Sequence, residues 1–468
     1  MKTRSLWVIV AMTFSVSVAK SAPILSSLPT ASATLYLDFD GHDVQAGTFW
    51  NNGVPFSCVA ALMTDAQITE SFNRVAEDFR PFNINVTTDL NRFLAAPLSM
   101  RMRIVITPTS AWYPGVAGIA FTNSFTWGDN TPAFVFSDRL SNDAKKVAES
   151  ISHESGHTMG LSHQSSYTST CTLNYTYNPG NGVGETSWGP IMGSASSMNT
   201  TQWNFGPTSK GCTITEDNLS IITTKNGFGY RVDDYASAYS SALAISITSN
   251  IFSRSGIIST TADKDFFRFD LGQNGKFRIK ATPYSVGPNN SGANLDIRIT
   301  LHSTNGAVIA NFDYKDSLHA LIDTTLNAGT YFVSIDGSSN INSTNDYGSL
   351  GSYTLDGYYS GTTTTSTTKT RTTTGVKRSS NSSSFTGSDL ENSNQSNFDV
   401  IKQIHSPLLV NAKTPYEYRI TDINGRSLLV GKSERGTRTF DMQSQPAGLY
   451  IIQLISAGER VAEQFFNN

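Results

Sequence analysis

The spacing of apolar residues predicts a mixed α and β region over residues 33–233. Leu35 and Leu37 fall on one face of a predicted strand, whereas Ile68 and Phe72 recur at the spacing of a helix. The predicted order is strand, helix, four strands and a second helix, over residues 33–39, 65–79, 83–87, 102–107, 117–125, 133–138 and from residue 141 onward.

The second predicted helix starts at a group of N-cap residues. Ser141, Asn142 and Asp143 each carry a side-chain oxygen that can accept from the first free N–H groups of a helix. Val147 and Ile151 then continue the helical spacing. The histidines that follow are therefore predicted to lie on this helix.

The pattern changes after residue 233 and predicts two further folded regions. Residues 234–360 are strand-patterned throughout, with polar turns rich in Gly and Asn, which is typical of an all-β sandwich. Residues 361–396 consist largely of Thr, Ser and Asn, which cannot bury a core and predict a disordered linker. Residues 397–468 are again strand-patterned and predict a small β-sandwich.

One short run carries the most specific chemistry, because it has the form HExxHxxGxxH. His153 and His157 are four residues apart and project from the same face of a helix. Gly160 can adopt the left-handed conformation that ends a helix, and the turn can bring His163 round as a third ligand. Three protein ligands with an open position are typical of catalytic zinc, and Glu154 can reach a water there without being a ligand.

Composition and charge narrow the class of protein. The chain of 468 residues suggests about three domains, and a net charge of −3 argues against nucleic acid as a partner. Residues 1–21 combine a basic start, an apolar core and small residues, which predicts a secretory signal peptide. No later segment is apolar enough to span a membrane, so we expect no transmembrane anchor.

The three cysteines do not indicate a disulfide-dense scaffold. Cys171 and Cys212 both fall in the loop-rich region after the histidines and can pair, which would leave Cys58 over. A thiolate that blocks the metal before activation is the other role open to Cys58.

The zinc motif resembles that of the metzincin clan of zinc endopeptidases, in particular poorly characterised exported bacterial members. Met192, in the run Pro-Ile-Met-Gly, resembles the methionine of the turn beneath the metal in that clan. The likeness covers residues 33–233 and implies an α+β zincin-like domain, with a mixed sheet and an active-site helix. It also implies that extended substrate pairs with an antiparallel edge strand, here residues 117–125.

One position departs from some metzincins. Where those enzymes carry a tyrosine ligand two residues after the methionine, this chain has Ser194. Tyr175 and Tyr177 lie in the loop before Met192, but no sequence feature fixes them near the metal.

Two further likenesses concern the β-patterned regions. Residues 234–360 resemble a bacterial pre-peptidase C-terminal domain, and residues 397–468 resemble the C-terminal sorting domain of the type IX secretion pathway. The phrases that carry these likenesses are residues 263–269, 329–331 and 351–355 in the first region, and residues 422–425 and 447–450 in the second. The second likeness implies secretion machinery as a partner and export across an outer membrane, so that the protein is secreted or displayed at the cell surface.

These features predict a secreted zinc metalloendopeptidase that acts on protein or peptide substrates. His153, His157 and His163 are the expected Zn²⁺ ligands, and Glu154 is the expected general base for the attacking water. Met192 is the expected residue beneath the metal. The alternative is a surface adhesin or carbohydrate-binding protein with a vestigial zinc domain.

Two acidic groups offer further metal sites, with a competing explanation for each. Asp263 and Asp265 are candidate Ca²⁺ ligands, although turn capping and a solvated strand edge also explain them. Asp38, Asp40 and His42 form a compact polar group after the first strand, for which a strand-ending turn is the simpler explanation.

Overall fold

A computed structural model describes residues 22–248, 250–361, 398–401, 408–422, 427–442, 445, 448–456 and 459–467. The chain divides into two compact units, residues 1–367 and 368–468. The predicted signal peptide, residues 1–21, and the predicted linker beyond Gly361 lie outside the described residues. Within the described ranges, no helix is long and apolar enough to cross a membrane.

The first part of unit 1 combines four α-helices with short and long strands. The helices are α1 (Asp65–Asp78), α2 (Leu90–Ala95), α3 (Ala144–Thr158) and α4 (Asn218–Lys225). The strands are β1 (Ala33–Asp38), β2 (His42–Val44), β3 (Phe56–Cys58), β4 (Ile84–Thr87), β5 (Arg101–Thr107), β6 (Gly118–Ile119), β7 (Ala133–Phe136), β8 (Ser166–Tyr167), β9 (Leu173–Tyr175), β10 (Trp188–Pro190), β11 (Thr200–Gln202), β12 (Phe205–Thr208) and β13 (Gly211–Asp217).

A five-stranded sheet organises this part, in the order β4-β1-β5-β7-β6. The first four strands are parallel, and β6 runs antiparallel to β7 at the edge. One face, with Leu35 and Ile104, packs against the helices, and the other, with Val105 and Phe134, packs against Trp50. A parallel sheet covered on both faces explains why its strands are almost entirely buried.

The predicted edge strand over residues 117–125 is wrong in its length. The structure confines the strand to Gly118–Ile119, and a 3-10 helix follows at Ser124–Thr126. Asn123 adopts a left-handed backbone with φ of 65°, and its N–H donates to the carbonyl of His157 at 3.0 Å. The chain therefore turns towards the end of α3 instead of continuing along the sheet.

Only one of the three candidate N-cap residues, Asp143, caps α3. Ser141 and Asn142 have positive φ values of 58° and 52°, so neither begins the helix. Asp143 is the N-cap, and its carboxylate accepts from the N–H of Lys146 at 2.9 Å.

The second part of unit 1 is a β-sandwich. Its sheets have the orders β14-β16-β21-β18-β19 and β15-β22-β17-β20. The strands are β14 (Leu243–Ala244), β15 (Ile251–Ile258), β16 (Asp265–Leu271), β17 (Gly275–Pro283), β18 (Ile297–His302), β19 (Val308–Phe312), β20 (Ala320–Leu326), β21 (Gly329–Gly337) and β22 (Gly351–Gly361). Buried and exposed positions alternate along β17, as expected for a strand with one face on the core.

The sandwich and the first part of unit 1 share one hydrophobic core cluster. Polar contacts reinforce the junction at the C-terminal end of α1. Glu77 accepts from the N–H of Ser352 at 2.6 Å, and Asp78 accepts from the side-chain amide of Asn294 at 2.7 Å. These buried bonds fasten the sandwich to a helix of the first part.

Unit 2 consists of a three-stranded and a four-stranded sheet, in the orders β23-β24-β27 and β26-β25-β28-β29. Val410, Ile420, Ile452 and Leu454 form part of its core. The strands are β23 (Phe398–Ile401), β24 (Leu408–Ala412), β25 (Tyr416–Asp422), β26 (Ser427–Ser433), β27 (Gly436–Phe440), β28 (Gly448–Ser456) and β29 (Glu459–Asn467).

Candidate metal centre and active site

Helix α3 presents the first two histidines. Val147 and Ile151 are fully buried in the core beneath the sheet, which fixes the rotation of the helix. His153 and His157 lie on adjacent turns, with ring centroids 4.8 Å apart. Their spacing in the sequence thus becomes a pair of neighbouring imidazoles.

The turn at Gly160 brings the third histidine to the same place. Gly160 has a φ of 105°, and a Cβ atom there would lie 2.4 Å from Oδ1 of Asn123, so only glycine fits. The ring of His163 lies 4.6 Å from that of His157 and 5.2 Å from that of His153. The Nε2 atoms of His157 and His163 are 2.9 Å apart.

Backbone carbonyls orient two of the three imidazoles. Nδ1–H of His153 donates to the carbonyl of Ile191 at 2.9 Å, and Nδ1–H of His157 donates to that of Leu161 at 2.8 Å. Each bond leaves Nε2 as the free ligand atom, which is the usual arrangement of a zinc-binding histidine.

The electrostatics of the three histidines also fit a metal. Burial lowers the pKa of His153 to about 3, that of His163 to about 4, and that of His157 below its ordinary value. The imidazoles are therefore neutral near pH 7, the form that binds metal. Their ligand atoms lie within 4.8 Å of one another. Three neutral imidazoles so arranged fit the donor set of a catalytic zinc site.

Glu154 lies between α3 and the edge strand β6. It is 6% exposed, and burial raises its pKa to about 8. A Cβ atom on Gly118 would lie 2.7 Å from both Cγ and Oε1 of Glu154, so β6 approaches this closely because residue 118 is glycine. The carboxyl group is thus placed beside both the histidines and the free edge of the sheet.

Met192 lies beneath α3 and is fully buried. A Cβ atom on Gly156 would lie 2.4 Å from the Met192 sulfur, so the thioether packs against the helix between the two histidine turns. The N–H of Gln164 donates to the carbonyl of Met192 at 2.8 Å, and the N–H of Gly193 donates to that of Pro190 at 2.9 Å. The segment 190–193 is therefore a tight turn directly below the histidines.

Tyr177 lies beside His163 at the candidate site, although no sequence feature fixes it there. Its ring centroid is 4.4 Å from that of His163, and the residue is 44% exposed. The next residue, Asn178, donates its N–H to the carbonyl of Gln164 and accepts from the N–H of Ser194, both at 2.8 Å. No local sequence signal identifies Tyr177, because these bonds join separate loops.

The cysteines behave as the loop positions suggested. Cys171, in the turn between β8 and β9, forms a disulfide with Cys212 of β13. Cys58 is free and buried beside Val105 and Phe134, on the face of the sheet opposite α3. Burial raises its pKa to about 12, so it is a protonated thiol in a hydrophobic cluster and not a thiolate that blocks the metal.

The structure distinguishes the two acidic groups that the sequence offers as metal sites, the one around Asp38 and the one around Asp263. Asp38 forms an ion pair with Arg103, which also contacts Nδ1 of His42 at 3.1 Å, so Arg103 occupies the space that a metal would need. By contrast, Asp263 and Asp265 have oxygens within 4.8 Å of one another and of a third carboxylate, Asp233, which the sequence analysis missed.

Comparison with known proteins identifies the domain that contains this site. Residues 112–228 match the model of the metallo-peptidase family M12B, reprolysin-like. This segment is a reprolysin-like metallopeptidase domain. Peptidases of this family depend on zinc and act on proteins. The matched segment contains the three histidines, Glu154 and Met192.

Solved structures resemble the chain only distantly. The pre-peptidase C-terminal domain of collagenase from Bacillus anthracis is similar over 25% of this chain and 94% of that chain, at 13% identity and a TM-score of 0.18. A β-glucuronidase from Ruminococcus gnavus is similar over 49% of this chain and 47% of that chain, at 12% identity and a TM-score of 0.23. At such TM-scores neither likeness bears on activity. No curated protein matches the chain.

Proposed function

We propose that the protein is a secreted, metzincin-type zinc endopeptidase in which Glu154 is the general base. The observation that carries the proposal is the convergence of three neutral imidazoles and one buried carboxyl group where α3 meets the free edge of the sheet. His153, His157 and His163 would hold zinc. When bound there, zinc supplies polarisation of a peptide carbonyl and activation of water.

The protein residues supply proton transfer and substrate placement. The raised pKa of Glu154 would fall beside a cation held by the neighbouring histidines, so that its carboxylate could accept a proton from the attacking water and deliver it to the leaving amine. Among the described residues, strand β6 pairs only with β7, so its other edge can take an extended peptide by main-chain hydrogen bonds. Because Gly118 of β6 lies against Glu154, a peptide on that edge passes beside the general base.

Glu154→Ala tests the catalytic role directly. We expect full zinc content and loss of casein hydrolysis, because the residue is not a ligand. Glu149→Gln is the matched control, since Glu149 lies on the same helix and contacts Thr201 instead. Near wild-type, chelator-sensitive hydrolysis by the alanine variant would contradict the mechanism. Absence of hydrolysis by the wild-type protein would favour the adhesin alternative.

We also propose export, directed by residues 1–21 and by the sorting domain over residues 397–468. The support is the composition of the N-terminal segment and the strand-rich unit 2. The Cys171–Cys212 disulfide adds support, because such bonds persist in oxidising compartments. In a host with type IX secretion, deletion of residues 397–468 should retain the protein in the periplasm; unchanged release would contradict the proposal.

A calcium site at Asp233, Asp263 and Asp265 is proposed on separate grounds. Oδ1 of Asp265 is buried without a hydrogen-bond partner, whereas Oδ2 accepts from Oη of Tyr353 at 2.6 Å. Three clustered carboxylates with one open oxygen suit a hard cation. Loss of one bound calcium in Asp265→Asn, measured by equilibrium dialysis, is the expected result.

A further inference from the structure

A second buried acidic cluster lies elsewhere in the sandwich, where the loops before β18, after β19 and after β21 meet. Asp296 is 1% exposed, and among the described residues neither of its carboxylate oxygens has a hydrogen-bond partner of ordinary geometry, although the side-chain amide of Asn340 lies near enough to lower its pKa. Oδ1 of Asp313 is also buried and unpartnered within the described part of the chain. Bare carboxylate oxygens are costly to bury unless another group binds them.

One residue ties the two acids together. The N–H of Ser338 donates to the carbonyl of Asp296, and its hydroxyl donates to Oδ2 of Asp313, both at 2.8 Å. Ser349 fixes the other side, because its Oγ accepts from the N–H of Asp296 at 2.9 Å. Burial, and after it the neighbouring Asp313 carboxylate, raises the pKa of Asp296 to about 8. Bonds from Ser338 and Ser349 thus hold the backbone of Asp296 and one carboxylate oxygen of Asp313 in place, while Oδ1 of Asp313 stays open.

The charges around the cluster do not balance. Asp296, Asp313 and the nearby Glu185 are opposed by Lys315, which leaves two excess negative charges when all the groups are ionised. The ammonium of Lys315 is already engaged by Oδ2 of Asp313 at 2.8 Å and by the carbonyl of Ser339 at 2.6 Å. A single water donates only two hydrogen bonds, which is too few for three bare oxygens.

We propose that Asp296 and Asp313 form a calcium site that is separate from the one at Asp233, Asp263 and Asp265. A divalent cation matches the excess charge and can bond all three open oxygens. Calcium is the preferred ion because its irregular oxygen coordination suits carboxylates supplied by converging loops, whereas magnesium demands near-ideal octahedral geometry.

The site adjoins the segment that leads to Met192. Glu185 accepts from the N–H of Leu318 and from the hydroxyl of Ser317, both at 2.9 Å, and Asn342 donates to the carbonyl of Thr186 at 3.0 Å. The loops at the proposed site therefore bond to Glu185 and Thr186, which lie three and two residues before the start of β10. Calcium should stiffen this support, a consequence that rests on the proposed peptidase function, whereas the binding itself does not.

Calcium binding is tested on the full-length Glu154→Ala protein, which cannot digest itself. Equilibrium dialysis of the zinc-loaded protein with calcium, followed by elemental analysis, counts the ions bound. We expect Asp296→Asn to bind one calcium fewer per chain and to lose part of the calcium-dependent rise in Tm. Without calcium, the variant should be at least as stable as its parent, because the amide removes a buried charge.

Further variants separate the outcomes. Asp313→Asn should show the same loss of one calcium, whereas Asp265→Asn should lose only the other ion. An unchanged circular dichroism spectrum and a cooperative melt show that each variant is folded. If Asp296→Asn and Asp313→Asn both bind as much calcium as the parent, the cluster holds a proton or a water and the proposal is wrong. Proteolysis by the active enzyme is measured separately, so its absence would count against the peptidase function alone.

Discussion

Replacing Gly118 by alanine measures how closely the edge strand must approach the proposed general base. A Cβ atom at this position would lie 2.7 Å from Cγ and 2.7 Å from Oε1 of Glu154, and 2.9 Å from Oγ of Ser150. Ordinary contacts between such atoms begin at about 3.5 Å. The carboxyl group must therefore move by about 1 Å, or β6 must withdraw by the same distance.

The expected cost falls on catalysis and not on stability. A displacement of about 1 Å at a reacting group lowers turnover on the order of 10²-fold. Alanine also restricts the unfolded chain more than glycine does, which offsets the strain of the contact by roughly 0.5–1 kcal/mol. We therefore expect kcat to fall about 10²-fold, with Tm changed by only a few degrees.

The assay compares kcat for a fluorogenic peptide, zinc content and Tm in the two proteins. Gly272→Ala is the control, because a Cβ atom there has no neighbour within 4 Å. A kcat within about threefold of wild type would show that Glu154 gives way freely and would refute the reasoning. Loss of zinc from Gly118→Ala would also contradict the reasoning, because the fall in kcat would then come from displaced histidine ligands and not from a displaced Glu154.

Two other predictions concern stability. The double variant Cys171→Ser, Cys212→Ser removes a disulfide between residues 41 apart in sequence. We expect the free energy of unfolding, measured by calorimetry or denaturant titration, to fall by about 4 kcal/mol. An unchanged free energy of unfolding would contradict this expectation. Burial, followed by the neighbouring Asp78 carboxylate, raises the pKa of Glu149 from 4.5 to about 8, so its contribution to stability is complete below pH 4.5 and is lost as the pH rises through 8. Glu149→Gln should therefore flatten the decline of Tm between pH 5 and 8, and an unchanged slope would show that another group titrates.

The parts of the site that the sequence predicts are those encoded within one stretch of chain. Helical spacing predicts α1 to within one residue of its observed end. The four-residue interval between His153 and His157, and the glycine at 160, determine the geometry of the centre through local backbone rules. These features do not depend on distant contacts.

The missed features depend on contacts between distant segments. Tyr177 reaches His163 because Asn178 bonds to Gln164 and Ser194, which are far from it in sequence. Ala120, Phe121 and Phe125 are compatible with a continued strand, but the N–H of Asn123 bonds to the end of α3 and the chain turns away. Asp233 joins Asp263 only through the packing of a connecting segment on the sandwich. No periodicity or motif contains that information.

Contacts between distant segments also determine how the sandwich is attached to α3. A composition shift near residue 234 suggests an appended module, yet buried contacts show that the sandwich helps to hold α3, the helix that carries His153 and His157. The amide of Asn294 donates to one oxygen of Asp78, and the hydroxyl of Ser152, next to His153, donates to the other at 2.5 Å. Trp203 adds a bond from Nε1 to the carbonyl of Asp78 at 2.7 Å. Because one buried carboxyl group joins a sandwich loop to the helix that carries His153 and His157, substitutions in that loop should shift the positions of these histidines.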